Sequence, residues 1–254
     1  MRIWYAKDYN KMSKMAAAIV ASQVTLKPSS VLAFITGSTP IGTYKELIRK
    51  YEEEEVDFSS AKVMNIDEYV GLSKTSDQSY SYFMYHNLYK YINVFEENTL
   101  MFRGENLELD KECQRMEANL KRFGTIDLHL LGIGRNGHVA FNEPSDSFSK
   151  GIRHVELSNE TIEDNSRFFD TRSDVPKRAY TFGIRTIMSA KRILLLASGE
   201  AKQEILYKAL FGPITPAVPA SVLQLHPDVD VIADEKALKE VIQRMPEEIV
   251  NLRR

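Results

Sequence analysis

The amino-acid sequence predicts an α/β fold in which a largely parallel sheet is covered by helices on both faces. Stretches patterned as strands alternate with stretches of helical periodicity through most of the chain, the order that parallel strands joined by crossover helices require. The runs at 128–133 and 192–197 are apolar nearly throughout, with no regular polar alternation, as in strands buried on both faces. The 254 residues contain no internal repeat, no low-complexity linker and no break in composition, so a single domain, 1–254, is expected.

Residues 2–5 form a short first strand, and 8–23 a helix with Met12, Met15 and Ile19 on one face, spaced by three and four. A compact strand at 31–35 runs into Thr36-Gly37-Ser38-Thr39-Pro40, and a helix at 42–51 turns Leu47 and Ile48 inward. The acidic run at 52–55 is a solvated helix end, since like charges gain nothing from burial together. The third strand, 62–66, delivers Asp67 and Glu68 to its carboxyl end. Residues 77–91 read as a helix with a packed aromatic side carried by Tyr82, Tyr85 and Tyr89. Around 107–122, Leu109, Cys113, Met116, Leu120 and Phe123 recur by four, three, four and three, a helical stripe that makes Cys113 a core residue rather than a nucleophile. After the central strand and its glycine loop come a strand at 151–157, mixed helix and loop at 158–169, and a segment at 180–184 leading into a helical turn. The strand at 192–197 ends at Ser198-Gly199, and a helix follows at 200–211. Pro213, Pro216 and Pro219 mark an irregular segment before a last strand, 229–232, and a closing helix, 235–245.

Composition narrows the function. A chain that is 43% hydrophobic and 27% charged is an ordinary soluble globule. A net charge of -2 gives no reason to expect a nucleic acid or an anionic membrane as partner. The single cysteine, Cys113, excludes an intrachain disulfide and argues against a thiolate metal cluster. The N-terminus lacks a signal-type apolar core and no 18-residue apolar run occurs, so a cytoplasmic location is expected.

The chemistry concentrates at 127–144, DLHLLGIGRNGHVAFNEP. A buried strand runs into Gly132, Gly134 and Gly137, which loosen the backbone, and then into His138, Glu143 and Pro144. In an open α/β sheet, ligands bind outside the carboxyl ends of the strands; the alternative is a glycine-rich turn with incidental polar residues. The strand–hydroxyl loop–helix join at 36–40 presents backbone N–H groups to a phosphate, unless Thr36 or Ser38 merely caps the helix. It matches neither GxxxxGK[ST] nor GxGxxG. Asp67 is either a functional buried carboxylate or the cap of the next turn. Lys202 sits uphill against the dipole of its helix, which calls for an anion nearby or a path to solvent. With Arg167 and Arg172 it is a candidate for binding phosphate. The five histidines show no HExxH spacing, and neither a metal nor a cofactor is expected. A histidine near neutrality shuttles a proton and an ionised aspartate abstracts one, tools suited to opening and isomerising a sugar phosphate.

Six segments, in order, carry a resemblance over nearly the whole chain: TGSTP (36–40), NIDEYVGL (65–72), LGIGRNGHVAFNEP (131–144), NSRFFD (165–170), SGEAK (198–202) and LQLHPDV (223–229). The sequence resembles the glucosamine-6-phosphate deaminase family, within a wider group that includes the 6-phosphogluconolactonases. The resemblance implies a Rossmann-like fold. It also implies an isomerase-deaminase of amino-sugar catabolism that turns D-glucosamine 6-phosphate and water into D-fructose 6-phosphate and ammonia. It makes Asp67 the base at C2, His138 the group that opens the pyranose, and Glu143 the carboxylate that orients and tunes it. Asn136 replaces a common aspartate and can orient His138 but cannot carry charge, which shifts the tuning to Glu143. Thr36, Gly37, Ser38, Thr39, Arg167 and Lys202 would bind the substrate phosphate, with Ser38 where glycine is usual. Arg153 matches an arginine of the allosteric site for N-acetylglucosamine 6-phosphate, but Val155 stands where a lysine would be, and the tail is shorter. An unregulated monomer or small homo-oligomer is therefore expected, with a small-molecule partner and no nucleic acid or membrane.

Three alternatives remain at this level. Deamination of galactosamine 6-phosphate differs by one hydroxyl epimer. Hydrolysis of 6-phosphogluconolactone would keep the histidine loop without needing Asp67. A non-catalytic sugar-phosphate sensor would not need to keep the base.

Overall fold

The computed structural model describes residues 1–166, 169 and 171–250. The first half of the chain contains β1 (Arg2–Ala6), α1 (Tyr9–Leu26), β2 (Val31–Phe34), α2 (Ile41–Glu52), β3 (Lys62–Asn65), β4 (Asp67–Tyr69), α3 (Tyr80–Asn87), β5 (Thr99–Leu100) and α4 (Leu109–Phe123). The second half contains β6 (Leu128–Gly132), β7 (Arg153–Glu156), α5 (Asn159–Ser166), β8 (Arg178–Thr181), α6 (Ile184–Met188), β9 (Arg192–Ala197), α7 (Gln203–Phe211), β10 (Val229–Asp234) and α8 (Glu235–Arg244).

Seven strands form one sheet in the order β1-β10-β9-β6-β2-β3-β5, and every neighbouring pair in it is parallel. The chain steps one way from β1 through β2 and β3 to β5, then reverses through β6, β9 and β10. Right-handed crossovers therefore send α1 and α2 to one face and α4 and α7 to the other, and α1 packs on α2 while α7 packs on α8. The expected two-faced parallel sheet is what forms. The reversal lies between β2 and β6, so their carboxyl ends diverge and leave a crevice.

Helix α1 shows why pattern alone misplaces a face. Its buried stripe is Met12, Ser13, Ala16, Ala17, Val20, Ala21 and Val24, whereas Met15 and Ile19 sit at its edge, half-buried. Small alanines let the helix approach the sheet closely, and the larger residues fill the rim. The expected helix over 77–91 is shorter: α3 ends at Asn87, and a separate 3-10 turn follows at Tyr89–Tyr91. Its aromatic side is not uniformly packed, because Tyr85 is exposed while Met84, Leu88 and Tyr89 are buried. Tyr82 instead stacks on His86. Cys113 lies in the core, as its stripe predicts.

The third strand also ends earlier than expected. Ile66 separates β3 from β4, and β4 belongs to a second sheet, β4-β8-β7, with antiparallel pairing throughout. Asp67 thus opens a strand of another sheet instead of sitting in a loop.

The amino ends of the strands, opposite the crevice, are pinned by buried aspartates that have cations. Asp230 accepts from Arg2 Nε (2.7 Å), Trp4 Nε1 (2.7 Å) and Arg192 Nε (2.7 Å). Asp127 accepts from Lys27 Nζ (2.6 Å), Lys191 Nζ (2.9 Å) and the Val31 amide (2.9 Å). Burial acts to raise the Asp230 carboxyl, but the hydrogen bonds from Arg2, Trp4 and Arg192 outweigh it and hold it down at about 2. Its stabilisation is therefore complete above the ordinary carboxylate range and is lost as the pH falls through about 2. Asp230→Asn should cost ~2–3 kcal/mol at neutral pH, below the ~3–5 kcal/mol of a fully buried pair because both arginines keep access to water. Urea unfolding at pH 7 and at pH 2 checks this: the gap between wild type and variant should shrink at the lower pH.

Candidate active site

The crevice at the strand-order reversal is a cleft of about 480 Å³. It is walled by the loops after β2, β6 and β9 and by the start of β4, and residues of all four, among them Thr36, Asp67, His138 and Lys202, line it. Among the described residues, no cluster of three or more His, Cys, Asp or Glu could hold a metal ion. No helix there is long and apolar enough to cross a membrane.

Asp67 and Glu68 are adjacent on β4, and successive strand side chains face opposite ways. Asp67 turns to the cleft. Glu68 turns to the start of α3, where it accepts from the backbone N–H groups of Tyr80 (2.9 Å) and Ser81 (2.8 Å), and it also accepts from that of Tyr69 (2.9 Å). Asp67 does not cap a turn; the cap of α3 is Ser79, whose Oγ accepts from the Tyr82 N–H at 3.0 Å, and Glu68 accepts the amides just inside it. Burial pushes the Glu68 carboxyl up to about 7, with the amide donors at the start of α3 opposing that rise only in part. Asp67 has only Asn65 Nδ2, at 3.4 Å from Oδ1, and among the described residues no lysine or arginine forms an ion pair with it. Burial, with the charge of Glu68 adding to it, pushes the Asp67 carboxyl up to about 8. Such a group is a far stronger base than an ordinary carboxylate.

The histidine loop is built by its glycines. A Cβ on Gly134 would lie 2.2 Å from His138 Cε1, so the imidazole occupies the space that a side chain there would fill. Gly137 turns the chain at φ 87°, and Ala140 follows at φ 50°, a left-handed conformation costing ~1–2 kcal/mol outside glycine. Asn142 holds this bend by donating to Val139 O (2.9 Å) and Phe182 O (2.8 Å).

Asn136 and Glu143 lie behind the imidazole, outside the residues that line the cleft. Asn136 Nδ2 donates to Glu143 Oε2 (2.8 Å), which orients the amide so that its Oδ1 meets His138 Nδ1 at 2.8 Å. A carbonyl oxygen only accepts, so Nδ1 carries the proton and proton exchange with a ligand falls to Nε2. Glu143 Oε1 stands 3.8 Å from Nδ1 and favours imidazolium across space, the charge that Asn136 cannot supply.

The β2 loop brings Thr36, Gly37, Ser38 and Thr39 to the cleft opposite Lys202. Neither Thr36 nor Ser38 caps α2, which has Pro40 at its N-cap and no side-chain cap bond. Lys202 ends a 3-10 turn, Glu200–Lys202, and is the N-cap of α7, so its charge stands at the positive end of the helix dipole as expected. Arg167 lies outside the described residues. Arg172 is absent from the cleft lining and pairs with Glu163 at 2.8 Å, so it is no phosphate ligand here. Tyr69, Tyr80, Phe141 and Phe169 form an aromatic wall of the cleft, with Tyr80 and Phe141 stacked at 5.9 Å. Sequence reading missed this wall, Asn65 and Thr161. Phe141 inside the glycine loop and Tyr80 next to a cap were the available signals; Thr161 offered none.

Residues 8–232 match the model of the family described as glucosamine-6-phosphate isomerases/6-phosphogluconolactonase. The chain belongs to this family. It is 52% identical over 232 residues to the glucosamine-6-phosphate deaminase of Lachnoclostridium phytofermentans, covering 91% of this chain and 98% of that one. To the glucosamine-6-phosphate deaminase of Clostridioides difficile it is 50% identical over 237 residues, 93% and 95% of the two chains. The solved structure of a monomeric glucosamine-6-phosphate deaminase superposes with a TM-score of 0.92 at 41% identity, over 94% of this chain and 100% of that one. A 6-phosphogluconolactonase from Thermotoga maritima superposes at 0.74 with 17% identity, over 92% and 99%, a likeness of fold alone.

The raised Asp67 carboxyl implies a cost in stability. Unfolded, the group loses its proton near the ordinary value of 3.8; folded, it keeps it to about 8. The native state binds more protons between these values, so stability falls as the pH rises through that window. Asp67→Asn should therefore melt well above wild type at pH 9. At pH 4 the two should melt together. A cap-like role for Asp67 would instead lower the melting temperature of the variant at both pH values.

Proposed function

We propose that the cleft deaminates D-glucosamine 6-phosphate to D-fructose 6-phosphate, with Asp67 as the base at C2 and the His138–Asn136–Glu143 relay opening the ring. The observation that carries the reading is the pairing, in one cleft, of a strongly basic carboxyl with an imidazole whose tautomer is set from behind. The activity itself is that of the family relatives, which share half of the sequence.

The substrate phosphate lies in the 36–39 loop, against backbone N–H groups and Lys202, with Arg167 as a further ligand. His138 Nε2 exchanges a proton with the ring oxygen as the C1–O5 bond breaks, and Glu143 stabilises the transient imidazolium. Asp67 then takes the C2 proton of the open-chain amine, giving the enolamine. Protonation at C1 leaves an imine at C2, which water hydrolyses to the ketose and ammonia. The aromatic wall excludes water from the apolar face of the sugar.

The same reading holds the chain to be one catalytic domain acting in the cytoplasm, as a monomer or small assembly without activation by N-acetylglucosamine 6-phosphate. Val155 supports the last point: it packs against the cluster of Tyr69, Phe141, Leu157 and Ala179 and offers no cation beside Arg153.

Purified protein should release ammonia from glucosamine 6-phosphate, with galactosamine 6-phosphate a poor substrate. A preference for the galactosamine epimer would transfer the activity to that substrate. Because the base must be ionised, kcat/KM should climb with pH and level off only above about 8. Asp67→Asn should lose exchange of the C2 hydrogen with deuterated solvent, followed by NMR, by ~10⁴-fold. His138→Gln should retain slow turnover through substrate already open in solution. Near-normal C2 exchange in folded Asp67→Asn would move the base elsewhere, Glu68 being the nearest carboxylate.

A further inference from the structure

The relay behind His138 does not end at Glu143. Its Oε2 is taken by Asn136, and its Oε1 accepts a hydrogen bond from the hydroxyl of Thr161. Thr161 is buried, lines the cleft and comes from α5, a different element from the loop that carries the other three groups. Its own helix has no use for that hydroxyl. The Thr161 N–H is capped by Ser158 Oγ at 3.1 Å, so Ser158 performs the N-terminal capping that a hydroxyl in the first turn often supplies. The Ser158 hydroxyl in turn donates to Thr161 Oγ1 at 3.2 Å. That bond occupies an acceptor position of Thr161 and directs its proton towards Glu143. The hydrogen bonds thus run in one sense, from Ser158 through Thr161 to Glu143.

We propose that Thr161 is a positioning residue that holds the Glu143 carboxylate and, through Asn136, the Nδ1–H tautomer of His138. This deepens the functional reading above and rests on it for its catalytic consequence. Glu143 has two oxygens, and each is held by one donor. Removal of the Thr161 donor lets the carboxylate turn about its last bond, the Asn136 amide loses its fixed partner, and the imidazole loses the carbonyl that selects Nδ1–H. The helix that carries Thr161 leads to Phe169, whose ring packs on Tyr69 at 5.8 Å in the aromatic wall.

The test uses Thr161→Val, which keeps the shape and removes the hydroxyl, and Thr161→Ser, which restores it. In the protein without substrate, the ¹⁵N pattern of His138 should be that of the Nδ1–H tautomer in wild type and Thr161→Ser. Thr161→Val should shift it towards a mixture. With glucosamine 6-phosphate, kcat of Thr161→Val should fall about tenfold, and Thr161→Ser should recover to within about threefold of wild type. Binding of an open-chain amino-alditol phosphate, which needs no ring opening, should change less than about twofold in either variant. An unchanged tautomer in folded Thr161→Val overturns the proposal, as does a Thr161→Ser enzyme as impaired as Thr161→Val. A wild-type protein that releases no ammonia would overturn the functional reading and leave the tautomer test standing.

Discussion

A buried carboxyl that pairs with no cation among the described residues is the feature around which this protein is arranged. Asp127 and Asp230, at the amino ends of the strands, are each buried between two cationic side chains. Asp67, at the other end, has the charge of Glu68 as its neighbour and burial as its main influence. The first two spend their charge on holding strands together. The third retains its affinity for a proton because burial outweighs the one hydrogen bond, from Asn65, that favours its charged form among the described residues. A fold can keep such a group only where the surrounding packing is already secure. The parallel sheet, with β10 buried throughout and β9 buried after Arg192, supplies that security.

Histidine placement follows a different physical logic. His138 is held by a chain of hydrogen bonds in which each partner can face only one way. Glu143 accepts, so the Asn136 amide must turn its nitrogen to it; the Asn136 oxygen then faces Nδ1. An asparagine in this position transmits orientation without charge, and Glu143 adds the charge from 3.8 Å. Orientation and electrostatics are thus divided between two residues.

Several parts of this arrangement were legible in the chain. The strand–glycine–His138 stretch, the β2 hydroxyl loop and the helix carrying Cys113 all rest on local chemistry, and they appear where periodicity and turn residues put them. Other parts were not. The edge position of Met15 and Ile19, the break at Ile66 and the turning of Glu68, not Asp67, to the amides of α3 depend on which surfaces meet. Tyr85 shares the aromatic spacing of its helix but faces solvent. Thr161 is the clearest case: thirty residues around it give no sign that its hydroxyl is aimed at Glu143, and the signal exists only once α5 lies over the cleft.

The sequence by itself determined the order of strands and helices, the residues able to move a proton and the family, because apolar period, glycine placement and side-chain chemistry are properties of local segments. Only the tertiary structure decided which carboxylate would face the cleft, which nitrogen of His138 would address a ligand and which groups would stand behind it. Those outcomes follow from desolvation and hydrogen-bond direction, and both are set by neighbours that are distant along the chain. Asp67 and Glu68 are chemically alike and adjacent; β4 turns one into the cleft and the other into the amides of α3, and that separation gives them different work.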